Sequence, residues 1–143
     1  IWIVAIYTSF KVTKRAYQII ENLPKDIVDS YRISLLFENI DNKNHYPECK
    51  VVGEKDKFVF LLRRNGTQMF FTLWSNPSTI LNKKYELDRK YRRDHIELTG
   101  YGFMETSKRK SWHNITKTDF DNRLQRLIEI TQTENPDSEK SSH

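Results

Sequence analysis

The chain predicts an α+β domain: a small antiparallel sheet built on a central hairpin, with helices packed on one face. Three observations lead there. Residues 57–74 hold two apolar runs, one through Phe58, Phe60 and Leu62 and one through Met69, Phe71 and Leu73, separated by Asn65-Gly66. That dipeptide tolerates the positive φ angles of a two-residue turn, which makes it a strong local hairpin signal. Helical spacing appears on both sides of the hairpin, at Ala16, Ile19, Ile20 and Leu23 and again at Phe120, Leu124, Leu127 and Ile128. Alternation returns between His95 and Phe103, so strands follow the hairpin.

With Asn65-Gly66 as the loop, Arg64 faces Thr67, Leu62 faces Met69, Phe60 faces Phe71 and Phe58 faces Leu73. One face is then wholly apolar and must be covered. The other is mixed, carrying Lys57, Val59, Leu61, Arg63, Gln68, Phe70, Thr72 and Trp74. A slip of one residue would exchange the two faces.

Ile1 to Tyr7 suits a strand buried on both sides or the tail of another element. Thr13 to Asn22 reads as a helix with Thr13 as its N-cap, ended by Pro24, which can also open a second helix. Between residues 25 and 37, Ile27, Val28, Tyr31 and Leu35 keep helical spacing while Arg32 to Phe37 reads equally well as a strand. Asn39 to Pro47 is a polar loop, Glu48 to Val52 a short strand, and Gly53 to Asp56 a charged turn. After Trp74, Ser75-Asn76-Pro77 caps a helix with a thin apolar stripe at Ile80, Leu81, Leu87 (or Asp88) and Tyr91. Glycines break the strand from His95 to Phe103, and residues 108–115 pass through a basic turn into another short strand. Thr118, with Asp121 three residues on, caps the last helix. The expected organisation is one domain over residues 1–132 and a disordered tail over 133–143, in a chain that opens on Ile1 as a piece of a longer protein would.

At 143 residues a domain can build a core without staples; 37% hydrophobic and 13% aromatic residues make that core modest and aromatic-rich. A net charge of +5 favours an anionic partner, although a solvated basic surface accounts for it too. Cys49 is the single cysteine, so no internal disulfide or cysteine-based zinc site is expected, and a buried unreactive thiol is its default. The expected setting is intracellular, cytoplasmic or nuclear (nucleoid), with the two Asn-x-Thr sequons at Asn65 and Asn114 accidental. The apolar opening falls far short of a membrane span, so no membrane partner is expected. No cofactor loop stands out, and His45, His95, His113 and His143 show no ligand spacing; neither cofactor nor metal is expected.

Two basic segments carry the functional expectation. Lys83, Lys84, Arg89, Lys90, Arg92 and Arg93 are interleaved with Tyr85, Tyr91 and His95, and on a helix Lys83, Lys90 and Arg93 would share one side. Cations neutralise phosphates and aromatic rings stack on bases. The plain alternative is a solvated face with Glu86, Asp88 and Asp94 as intrahelical partners. Lys108-Arg109-Lys110 forms a second, wing-like patch before Trp112, which is read as core. A non-catalytic nucleic-acid-binding domain, DNA-binding first, would therefore use Lys83, Lys84, Lys90, Arg93, Lys108, Arg109 and Lys110, with Arg63 and Trp74 as further candidates.

Two other readings compete. Val59, Leu61, Phe70 and Trp74 on the mixed hairpin face would suit a protein partner or a second copy of the chain. Glu48-Cys49-Lys50, with Asp41 before it, has the Glu-x-Lys order of a Mg²⁺-dependent nuclease, in which carboxylates hold the metal and the lysine positions the attacking water. Glu54 and Asp56 beside Lys55 and Lys57 are a fallback pair.

Over about half its length the chain also resembles the MmcQ/YjbR family of double-wing domains. The matching pieces are Phe58–Leu62, Thr72-Leu73, Pro77, Gly100-Tyr101, Lys110, Trp112, Ile115 and Leu127-Ile128. The resemblance implies a compact α+β fold in which DNA binding is the usual inference.

Overall fold

A computed structural model describes residues 14–39 and 47–136. Its strands are β1 (Ser34–Asn39), β2 (Pro47–Lys55), β3 (Phe58–Asn65), β4 (Gln68–Trp74), β5 (Ile96–Thr99) and β6 (Gly102–Lys108). They form one antiparallel sheet in the order β1-β2-β3-β4-β6-β5. The helices are α1 over residues 14–22, α2 (Lys25–Ser30), α3 (Lys84–Lys90) and α4 (Lys117–Glu134). Readings that fall on residues 1–13, including the Thr13 cap, on 40–46 and on 137–143 lie outside the described residues.

The hairpin forms, with its pairing moved by two residues. Asn65 pairs with Gln68, Leu62 with Phe71 and Phe60 with Leu73, so Gly66-Thr67 is the loop. Gly66 alone takes a positive φ, 61°, at the first central position, the pattern of a II′ turn, and asparagine is spared the left-handed region. A shift of two preserves side-chain parity, so both faces keep the residues assigned to them. Phe60, Leu62, Met69, Phe71 and Leu73 are buried, and Phe58 is partly so.

That face packs under α4, whose Phe120, Leu124, Leu127 and Ile128 are buried. Phe60, Phe71, Phe120, Tyr31 and Trp112 form a ring cluster with neighbouring centroids 4.8–6.2 Å apart. Ala16, Ile19 and Leu23 of the α1 segment and Ile27 of α2 complete the core.

Several local expectations are corrected. Residues 25–37 are both helix and strand: α2 follows Pro24, and β1 starts at Ser34 after Arg32 takes a φ of 49°. Gly53 lies inside β2, not in a turn, beneath the Phe60 ring, where a Cβ would overlap Cζ of Phe60. Pro77 opens a turn rather than α3; a 3-10 stretch Leu81–Lys83 intervenes. The glycine break separates two strands, β5 and β6, joined through Gly100-Tyr101. The basic turn leads into a 3-10 helix, Arg109–Trp112, not a strand, because the Trp112 ring is drawn into the core and its Nε1 donates to Ser107 Oγ at 2.8 Å. The α4 cap is Thr116, whose Oγ1 accepts from Asp119 N at 3.1 Å. Thr116 satisfies the same cap-then-acid pattern two residues before Thr118. At its far end α4 runs to Glu134, and Asn135 is buried, its amide donating to the Asn76 carbonyl at 2.9 Å.

Two carboxylates set opposing pH responses. Burial raises the Glu105 carboxyl above its ordinary 4.5, against the pull of Arg123 at 3.2 Å. The folded chain thus holds that proton more tightly than the unfolded one, so stability falls as pH rises from about 4.5 through the raised value. Bonds from Lys55 and Tyr31 hold Asp121 below its ordinary 3.8; its contribution is present above 3.8 and is lost as pH falls through the lowered value. Glu105→Gln should flatten the first slope and leave the second, as read from urea midpoints across pH. An unchanged upper slope would show that Glu105 does not set it.

Candidate nucleic-acid interface

The site grows from the way the sheet closes its β5 edge. An edge strand offers unpaired backbone groups that invite further pairing. Here α3 covers them: Leu98 N donates to Asp88 Oδ1 at 2.7 Å, and Lys84 Nζ donates to the Leu98 carbonyl at 2.6 Å and to Asp88 at 2.7 Å. Behind this clasp Leu87 and Tyr91 are buried, with the Tyr91 ring edge-on to Phe103.

Once α3 is fixed so, Tyr85, Asp88, Arg89 and Arg92, at i, i+3, i+4 and i+7, line one cleft of about 680 Å³ together with His95, Ile96, Glu97 and Thr106. A 3-10 turn over Arg92–Asp94 ends at His95 with φ 57°, and the His95 carbonyl accepts from Thr106 N at 2.9 Å. His95 and Thr106 also line a second hollow, about 750 Å³, with Gln68, Ser107, Lys108, Lys110 and Ser111. The two hollows adjoin at His95 and Thr106, and together they form a candidate groove reaching from α3 to the turn after β6. Among the described residues Arg89, Arg92, Lys108 and Lys110 enter no ion pair. Two carboxylates share the walls: Asp88, neutralised by Lys84, and the exposed Glu97.

The candidate cations separate accordingly. Lys108 and Lys110 lie on the groove. Lys84 is committed to the β5 edge. Lys90 reaches Glu134 at 2.7 Å, which raises its ammonium above the ordinary value, and also sits over the Tyr91 ring. Lys83 and Arg93 are exposed, away from the groove lining. The residues that meet the groove are thus Tyr85 and Arg89 of α3 and Arg92 just beyond its end, rather than the Lys83–Lys90–Arg93 stripe. Arg109 turns to the helix-covered side of the sheet, near Ile19, Leu23 and Trp112. There burial, then Arg109 and Arg15, lower the Arg64 guanidinium below its ordinary value.

The mixed hairpin face is the outer face of the sheet. Arg63 lies 4.7 Å from the Phe70 ring centre. Lys50 Nζ lies 5.5 Å from Trp74 and 4.8 Å from Tyr101. Lys50 therefore meets aromatic rings, and the Glu-x-Lys reading depends on the Asp41 and Glu48 side chains, which lie outside the described residues. Of the fallback pair, Glu54 bonds Arg32 at 3.2 Å and Lys55 bonds Asp121 at 2.7 Å. Burial pushes the Cys49 thiol up. His95 and His113 stand apart on the surface, and no group of three potential metal ligands occurs among the described residues. No helix among them is long and apolar enough to cross a membrane.

Arg89 and Arg92 belonged to the basic segment of the sequence but not to its expected stripe; His95 was read among the rings of that segment and Gln68 on the mixed hairpin face, while Thr106 carried no sequence signal. The spacing 85/88/89/92 was the clue available; choosing that side over its neighbour required the sheet edge. Compared with family models, with curated proteins and with solved structures, the chain finds no match in any of the three.

Proposed function

We propose that this domain binds nucleic acid, laying a phosphate backbone along the groove between α3 and the turn after β6. One observation carries the reading: two basic segments line adjoining hollows that meet at His95 and Thr106, with Arg89 and Arg92 in one and Lys108 and Lys110 in the other. Cations gathered without ion-pair partners raise the local concentration of a polyanion, and each phosphate contact releases counterions. The double-wing resemblance points the same way. A protein partner on the outer face is the second reading, favoured by Trp74 and Tyr101, 38% and 49% exposed.

Fluorescence anisotropy with labelled single-stranded DNA, duplex DNA and RNA across a salt series tests the proposal. Log K should fall with log salt at about 0.7–0.9 per phosphate contacted. Replacing Arg89, Arg92, Lys108 and Lys110 with glutamine should lower that slope by about 3 and abolish tight binding. Lys83→Gln with Arg93→Gln should do much less, and Glu97→Gln should tighten binding. A flat salt response, or no binding at low salt, eliminates the reading.

A further inference from the structure

We infer that the groove takes a single strand, with an unpaired base stacked on Tyr85; this rests on the nucleic-acid reading above. Tyr85 is 80% exposed, more than Tyr17, Phe37, Trp74, Leu81 or Tyr101. Its hydroxyl makes no hydrogen bond among the described residues, and its ring buries nothing for the core. It stands one helical turn before Arg89, with Arg92 in the 3-10 turn that follows the end of α3, and all three line the same cleft as His95 on the turn before β5.

An aromatic face beside phosphate-binding cations has one specific use in a nucleic-acid site. Bases in a duplex are stacked on each other and show only their edges in the grooves, whereas an unpaired base offers its π-face to a ring. The shape of the cleft agrees. At about 680 Å³ it has room for about one or two nucleotides beside the Tyr85 ring. The charges fit as well: Arg89 and Arg92 lie within the first two turns after the ring, where the phosphates flanking a stacked base would run.

The test uses the full chain with fluorescein-labelled oligothymidylate, oligouridylate and a duplex of equal length, titrated by anisotropy at fixed salt and across a salt series. Single strands should bind at least about tenfold more tightly than duplex. Tyr85→Ala should weaken single-strand binding about tenfold or more, leave the salt slope unchanged and leave duplex binding alone. Tyr85→Trp should restore the affinity. Since Tyr85 is exposed, an unchanged thermal midpoint confirms that these variants are folded. Duplex bound as tightly as single strand, or single-strand binding indifferent to Tyr85→Ala, overturns the inference; if Arg89→Gln with Arg92→Gln still weakens binding, the nucleic-acid reading stands without it. Failure of every probe to bind at low salt removes both.

Discussion

Phe60→Ala should destabilise the fold by about 3–5 kcal/mol, the range for removing a fully buried ring, and in a domain with about 5–15 kcal/mol of stability that brings many molecules near unfolding. Phe60 is fully buried and meets Tyr31, Phe71 and Phe120 at centroid distances of 6.2, 5.2 and 5.5 Å. Those rings join the sheet to α4 and to the residue that ends α2, so the void would open where the sheet meets both helices. Gly53 supplies a sharper form of the test. Its bare Cα lies directly under the ring, and an added Cβ would overlap Cζ and come within 2.7 Å of Cε1. The ring is held by its neighbours and cannot yield, so Gly53→Ala alone should also be costly. In the Phe60→Ala background the two overlaps with the ring are removed and only the contact with Ile33 Cγ1 at 3.0 Å remains, so most of the cost should disappear. Urea denaturation of the two single variants and the double variant measures the coupling. Additive losses would show that Gly53 is not there to admit the ring.

Gly102→Ala should cost on the order of 3 kcal/mol, combining backbone strain with overpacking. Gly102 has φ 133°, and a Cβ would overlap the Leu73 carbonyl oxygen and lie 2.7 Å from Ser75 Oγ. The obstacle is backbone, so relief requires β6 to part from β4 at the point where Ser75 N donates to the Tyr101 carbonyl at 2.8 Å. Gly100, in the same connection, has nothing within 4 Å of where a methyl would stand and no positive φ; Gly100→Ala should therefore stay within about 0.5 kcal/mol of the parent. Equal effects at the two glycines would refute this account of the β5–β6 connection.

These cases show why some of the fold is legible in the chain and some is not. A strand alternates its side chains with a period of two and a helix with one of 3.6, and both are local rules. They settled which side chains share a face of the hairpin and that Phe120, Leu124, Leu127 and Ile128 of α4 enter the core, to which the structure adds Ile130 and Thr131, even though the pairing lies two residues from the expected register. Parity survives such a shift. Turn position does not, because Asn65 and Gly66 are both tolerant, and the choice between them depends on how β3 and β4 lie against β2 and β6.

The candidate site lies largely beyond local rules. Composition gave an excess of positive charge and placed it in two segments; which cations remain available depends on partners distant in sequence. Lys90 is taken by Glu134, 44 residues away, and Lys84 by the carbonyl of Leu98, 14 residues away. Arg89 and Arg92 are left facing Lys108 and Lys110 across His95 and Thr106 only because β6 inserts between β4 and β5. Periodicity along a chain orders neighbours by residue number, whereas a Coulomb interaction depends on distance in space. The order of residues was therefore enough for the two faces and the sign of the charge, while long-range packing alone chose where that charge is free to act.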